Sequence, residues 1–518
     1  MLHWDHHFMQ KSTHQSYFDP TFDKMVVKKV PFNIAINIKE RMLIGLITMI
    51  TLGCGTHDST SEIRQQILTR ASLDVRGHRP DLEELSSVAK NKDNLNRMLD
   101  NLLDDSHVGE QYASLMAGVW KTEVVEYDHT DHEYAFSDST QIFDLLTALG
   151  QEPLQMLAEI TRSDLPYSEI VTGDWTMSNS TLAQWSPVSY DWSDPTGGWQ
   201  KVQYTDDRPA AGVLVNNGLW WRYNSTLTNA QRGRANVISK MLLCNDFLER
   251  RINVDRELNL LDEEGVFEAL TTSPTCVSCH VDLDPLAANF WGLYRHFRFS
   301  LEEQFSYHPE REMHWVEQTG VGPAYFGSPI SSLSDLGDSI AQDPALYTCL
   351  VQRTMSQMTH QPVQVEDWSR WQPHLAAFVE SGYTIKPLLR SIFDDESYRN
   401  VEEPKIVTAD LFAKQLSHLT HYRFSVDNID GIESDLYGLR GLFGGRGKDW
   451  MTNPSSVPIT TFSLVVQQLS EAAAHHATHD TEAIQHLFGF PIENPSSGNR
   501  ENLHYIFTKI LSNLFQKR

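Results

Sequence analysis

Apolar residues recur at spacings of three and four through most of the chain, the pattern of amphipathic helices. The segment "KDNLNRMLDNLLDD" (92–105) repeats this way. So do "STQIFDLLTALG", "RANVISKMLLCNDFLERRI", "DWSRWQPHLAAFVESG", "IKPLLRSIFDDESY", "TADLFAKQLSHLTHY" and "ENLHYIFTKILSNLF". Start signals support several of them. Ser59 with Glu62 three residues later has capping-box spacing, and "RPDLEELSSV" carries Pro80 and acidic residues in a predicted first turn. Strand-like alternation is scarce. The expected class is mainly α and multi-helical, with long ordered loops. The longest of these runs from Thr172 to Gln200, rich in Trp, Gly and Pro. A loop of that length marks a functional segment or a domain junction. No short-period repeat or low-complexity tract interrupts the pattern.

The apolar run "MLIGLITMITLGCG" (Met42–Gly55) is too short to span a bilayer, which takes about 20 residues. It has the length of a signal-peptide apolar region, with Lys28, Lys29, Lys39 and Arg41 before it. Its end at Gly53-Cys54-Gly55 resembles the lipobox of bacterial lipoproteins, in which the cysteine is lipidated and becomes the mature N-terminus. Thr51 stands where a lipobox prefers leucine, and Leu52 comes after it. Met25 is the alternative start, and a buried core helix is the alternative reading of the run. These signals divide the chain into an N-terminal extension with a lipoprotein signal peptide (1–54), an N-terminal helical domain (55–165), an aromatic-rich middle region ending in a long helix (166–270), a region around a Cys-His motif (271–400) and a C-terminal helical region (401–518).

Acidic residues outnumber basic ones, 68 to 42, for a formal charge of −26. That charge argues against nucleic acid, or an anionic membrane face, as the main partner. It suits solubility or a basic partner.

The densest chemistry lies in "TTSPTCVSCHVDLDPLAANFWG" (Thr271–Gly292). Cys276, Cys279 and His280 form CxxCH. On a helix these positions share one face at i, i+3 and i+4. Two thiols there can add across the two vinyl groups of a haem, and the adjacent imidazole can ligate the iron. A structural zinc site wants a second ligand pair, which the sequence does not display. A redox dithiol of the thioredoxin kind wants a βαβ context. A plain disulfide between Cys276 and Cys279 is the remaining alternative. Phe290, Trp291, Tyr294 and Phe297 are spaced to wall a macrocycle or to pack a core. A carbonyl in the turn at Asp284-Pro285 is placed to accept the second imidazole N–H.

The chain has five cysteines. With Cys54 lipidated and Cys276 and Cys279 on haem, Cys244 and Cys349 remain to form a disulfide, which an oxidising compartment permits. Alternatively both are small buried hydrophobes. Other clusters are weaker. Glu126, Asp128, His129, Asp131, His132 and Glu133 are metal-binding types in a stretch that also reads as a solvated loop. His475, His476 and His479 sit near a helix end, where histidine complements the dipole. Trp175, Trp185, Trp192, Trp199, Trp220 and Trp221 offer glycan stacking or, as the plainer reading, core packing. No GxSxG, P-loop or HExxH motif appears.

Taken together, several blocks resemble a group of exported cytochrome-c-like proteins built of domains of unknown function, abundant in planctomycetes and myxobacteria. The blocks are "LTRASLDVRGHRPDLEEL" with "LLDDSHVGEQYASLMAGVW", then Arg208–Leu248 around "RGRANVISKMLLCNDFL", then "CVSCHVDLDPLA". Further on come "SDLGDSIAQDPALYTCLVQR", "GYTIKPLLRSIFDDESYR" and "LYGLRGLFGGRGKDWMT". The likeness runs from about Ser59 to Ala474. It implies an exported protein with a single covalent haem c in a mainly helical scaffold, residues 271–400 being the cytochrome-c-like region. The group supplies no reaction.

The expected function is therefore electron transfer or a redox role in the cell envelope, on the periplasmic or outer-membrane face. Cys54 would anchor the chain to the membrane, and a redox partner protein would exchange the electron. The alternatives are a surface binding or structural protein whose haem is structural or absent, and a mono-haem enzyme. For the distal iron ligand the first candidates are Met355 and Met358 in "QRTMSQMTHQ". Behind them stand Met313, beside His314, and a bis-histidine arrangement through His296 or His308. Core filling is the competing role for each methionine.

Overall fold

The amphipathic repeats fold as helices throughout the residues that this computed structural model describes, namely 59–123, 139–223, 225, 229–250, 259, 262–293, 300–403, 405–426, 429–432, 438–444, 459–488 and 497–516. The longer helices are α1 (Ser59–Val75), α2 (Leu82–Lys90), α3 (Asn94–Leu102), α4 (Val108–Trp120), α5 (Ser139–Arg162), α6 (Arg232–Leu243), α7 (Glu263–Thr272) and α8 (Pro274–Ala287). They continue as α9 (Leu333–Gln342), α10 (Pro344–Thr359), α11 (Trp368–Glu380), α12 (Ile385–Phe393), α13 (Ala409–Thr420), α14 (Thr460–Ala477), α15 (Thr481–Phe488) and α16 (Ser497–Gln516). Strands among these residues are confined to three short antiparallel pairs. Among the described residues no helix is long and apolar enough to cross a membrane.

Two hydrophobic clusters organise the helices. The first draws residues from Ile67 through Tyr398, so the three segments distinguished between residues 55 and 400 share one core. The second runs from Ile406 to Leu511 and is built by α13 to α16. In that part Ala473, Ala474 and Ala477 of α14 are fully buried, and α14 packs chiefly against α16.

Helix α5 runs well past the predicted "STQIFDLLTALG", through Gly150 and Pro153. It is buried from two sides, with Leu145 and Leu149 in a satellite cluster and Leu154 and Leu157 in the main core. Two glycines permit this. A Cβ on Gly109 would lie 2.4 Å from the Ala158 carbonyl oxygen, and one on Gly218 would lie 1.9 Å from that of Leu149. Neither position has room for a side chain.

Some predicted elements differ in detail. Helix α2 begins at Leu82, not with Pro80 in its first turn. Asp81 is its N-cap, and a reciprocal capping box links Asp81 and Glu84. The predicted loop 172–200 contains strand β1 (Thr176–Ser178), which pairs with β2 (Gln200–Val202) in the register Thr176↔Val202. The buried carboxyl of Glu152 holds this region in place. It accepts hydrogen bonds from Thr176 Oγ1 (2.9 Å), Tyr204 OH (2.5 Å) and the Gly218 N–H (2.7 Å). Burial raises its pKa despite those bonds.

The expected long helix at "RANVISKMLLCNDFLERRI" stops at Leu243. Cys244 takes a left-handed conformation (φ 54°), with its N–H on the Ser239 carbonyl. Ser239 Oγ donates to the Asn245 carbonyl at 2.6 Å, and Asp246 draws in Lys240 and Asn236, so the side chains of α6 turn the chain back. The turn brings Cys244 to Cys349 in α10. Their sulfurs are bonded, with Cα atoms 5.4 Å apart across 105 residues of sequence. In the chain-entropy picture a closed loop of this length stabilises the fold by up to about 5 kcal/mol. Replacing both cysteines by serine should lower the unfolding free energy by about 2–5 kcal/mol, measured by urea denaturation. Equal midpoints for parent and variant, or free thiols at both positions on non-reducing peptide mapping, would contradict this.

Candidate functional site

Helix α8 carries Cys276, Cys279, His280 and Asp284. Ser273 alone separates it from α7. That residue's N–H bonds the Ala269 carbonyl (2.9 Å), and its own carbonyl accepts from Val277 N–H (2.9 Å), so one residue closes α7 and opens α8. Pro274 occupies the first helical position, where a missing N–H costs nothing. One side of α8 is anchored by Leu283, Leu286 and Ala287, while Val281 is exposed. The motif lies between these extremes. Both thiols are free and part-buried, and Cys279 touches the main core.

His280 is held from behind. Its Nδ1 lies 2.8 Å from Asp284 Oδ1, one turn further along the helix. The sequence placed a turn carbonyl here; the structure instead continues the helix through Pro285, so the acceptor facing the ring is the Asp284 carboxylate. That carboxylate is itself clamped by Arg232, Nε at 2.6 Å and Nη2 at 3.0 Å. Burial opposes the charge on Asp284, but the hydrogen bonds from Arg232 and His280 outweigh it and hold the carboxyl below its usual range. The Arg232 guanidinium lies over the Trp315 ring, 5.3 Å from its centroid, and Trp315 stacks on Trp291. The result is a fixed chain from indole to guanidinium to carboxylate to imidazole.

The other candidates lie elsewhere in the fold. Phe290 and Trp291 are buried, Phe290 packing on Trp220 at 4.9 Å. Met355 and Met358 are fully buried in the main core, on α10, whose chief neighbours are α4, α6, α11 and α12 rather than α8. Met313 is 53% exposed. Both ring nitrogens of His308 have partners, Glu310 and the Glu303 carbonyl. His475, His476 and His479 are exposed at the end of α14, where His476 Nδ1 meets the Thr420 carbonyl at 3.0 Å. Among the described residues no three His, Cys, Asp or Glu side chains converge to hold a metal ion. Trp175, Trp220 and Trp221 are buried, Trp185 and Trp199 partly so, and Trp192 is exposed. Cys54, Glu126, Asp128, His129, Asp131, His132, Glu133, Tyr294, His296 and Phe297 lie outside the described residues.

Sequence reasoning missed Arg232. Its partner is 52 residues away, and nothing in the spacing of "QRGRANVISK" marks one arginine as a clamp for a distant carboxylate. Compared with protein-family models, curated proteins and solved structures, the chain matches none.

The clamp has a pH signature. A carboxyl held below its unfolded-state pKa stabilises the fold fully above that value, and the gain disappears as pH falls through the folded value. Asp284→Asn should therefore cost about 2 kcal/mol near neutral pH. The gap between parent and variant should close as pH drops below about 4. Chemical denaturation across this range measures it, and a gap of constant size down to about pH 3 would refute the assignment.

Proposed function

We propose that the chain is an exported cell-envelope protein carrying one covalently attached c-type haem, with a role in electron transfer. The observation that carries this reading is the arrangement on α8. Two reduced thiols lie one turn apart, and the next residue is a histidine whose Nδ1 is already engaged by a carboxylate. Cys276 and Cys279 would form the two thioether bonds, and the remaining nitrogen of His280, Nε2, would ligate iron. The donor set fits a haem better than zinc, since no further ligand among the described residues joins these three. When bound, the haem supplies a one-electron redox centre.

The protein's own groups do the rest. Asp284 fixes the ring orientation and would strengthen the electron donation of Nε2 to a bound iron. Arg232 keeps Asp284 ionised and in place. A more strongly donating histidine favours oxidised iron, so this pair would give a bound haem a lower potential than a neutral acceptor would. Met355 and Met358 fill the main core, so the reading rests on His280 as the protein ligand.

Export is supported by the Cys244–Cys349 bond, which belongs in an oxidising compartment. Lipidation of Cys54, with two acyl chains, would give the stable anchor that one chain does not. The charge of −26 suits a basic redox partner.

The reading is tested by making the protein alongside a c-haem maturation system. Haem should stay on the polypeptide through denaturing electrophoresis, and Cys276→Ser with Cys279→Ser should abolish it. Persistence of gel-stable haem in that variant would defeat the proposal. Within the haem-bearing protein, Asp284→Asn should raise the midpoint potential. A lowered or unchanged potential would show that the carboxylate does not tune the iron.

A further inference from the structure

A second site lies away from α8, at the seam between the two cores. A cavity of about 570 Å³ opens there between α1, α4, the end of α10 and the segment Val401–Leu411. This is within the roughly 300–1,000 Å³ of small-molecule sites, which favour such junctions. Leu73, Leu115, Ile406 and Val407 give it apolar wall. Its charged groups are Arg70, Arg79 and Lys405 against Asp74 and Glu402.

Most of these charges are already used by the fold. Arg70 donates to the carbonyls of Tyr398 (2.6 Å), Asn400 (3.1 Å) and Glu403 (2.8 Å). Lys405 pairs with Asp74 at 2.6 Å, and Asp74 also accepts from Tyr398 OH at 2.7 Å. Arg79 is different. Its Nε is buried with no acceptor, and its guanidinium makes no ion pair or hydrogen bond among the described residues. Burial alone, with no carboxylate opposing it, shifts its pKa downward. Arg79 is half-buried as a whole and stays charged there, so a partly covered charge without a counter-ion gains from one that is supplied.

His360 lines the same cavity, at the left-handed cap of α10 (φ 55°). Its ring has no partner among the described residues. Burial, with Lys405 and Arg70 nearby, pushes it down to about 3, so it is neutral near pH 7 and offers one N–H.

We infer that this cavity binds a small organic monocarboxylate, with Arg79 clamping the carboxylate, His360 donating a hydrogen bond and the apolar wall taking the hydrocarbon body. The charge count selects the ligand. Three cations against two carboxylates leave one positive charge to neutralise, which suits a carboxylate and not a phosphate dianion. The planar guanidinium fork also matches a carboxylate geometrically.

The probe is 4-phenylbutyrate on the full chain, measured by calorimetry, with its neutral amide and inorganic phosphate as comparisons. 4-Phenylbutyrate should bind saturably below about 10 mM. The amide should bind at least about tenfold more weakly, and Arg79→Met should lose about as much. Should Arg79→Met fail to fold, the acid–amide comparison on the unaltered chain and the Arg79→Lys variant decide instead. Equal binding of acid and amide, tighter binding of phosphate, or no saturable binding of the acid up to about 10 mM would each overturn the proposal.

Discussion

A helix surrounded by protein must find a partner for every polar group it carries, and in meeting that demand α6 fixes its neighbours. Its residues are mostly buried, yet it holds Arg232, Arg234, Asn236, Ser239 and Lys240. Arg234 is buried and spends its guanidinium on the carbonyls of Tyr223 (2.9 Å), Leu293 (2.6 Å) and Trp220 (3.2 Å), fastening the 220–223 turn and the segment at Leu293 to one side chain. Asn236 and Lys240 fold back the segment after the helix. Arg353 of α10 donates to the Lys240 carbonyl at 3.0 Å, beside the disulfide. At the other end Arg232 reaches the motif helix. Each of these groups would be costly unpaired, so the positions of α8, α10 and the 220–223 turn are set relative to α6.

That arrangement explains why α8 can present reactive groups without losing its shape. Its anchors are Leu283, Leu286 and Ala287 on one side and the Asp284–Arg232 pair at the end. The helix is therefore held by packing that is separate from the thiols, while the Asp284–Arg232 pair holds the imidazole directly. The carboxylate one turn away restrains rotation of the His280 ring, as the proposed iron ligand requires.

The helical nature of the fold was legible because period and caps are local properties. The fold's long-range logic was not. "RANVISKMLLCNDFLERRI" has helical spacing throughout, but the helix ends at Cys244 because Ser239, Lys240 and Asn236 bond the chain just beyond it, a competition that periodicity does not register. The loop 172–200 reads as irregular because the acceptor that orders it, Glu152, sits in a different helix. Elimination among cysteines reaches Cys244 and Cys349, but not the left-handed turn that lets them meet. At the motif, Cys276, Cys279 and His280 announce themselves by spacing, whereas Arg232, Arg79 and His360 carry no local sign. Their roles come from what surrounds them.

Covalent haem on α8 is read out by the alkaline pyridine haemochrome spectrum of protein matured in a host that attaches haem c. One haem per chain is expected, with the band position of a haem joined by two thioethers, and peptide mapping should find it on the segment containing Cys276 and Cys279. A haem that extracts into acidified solvent, or a fully matured protein in which both thiols remain free, would contradict it.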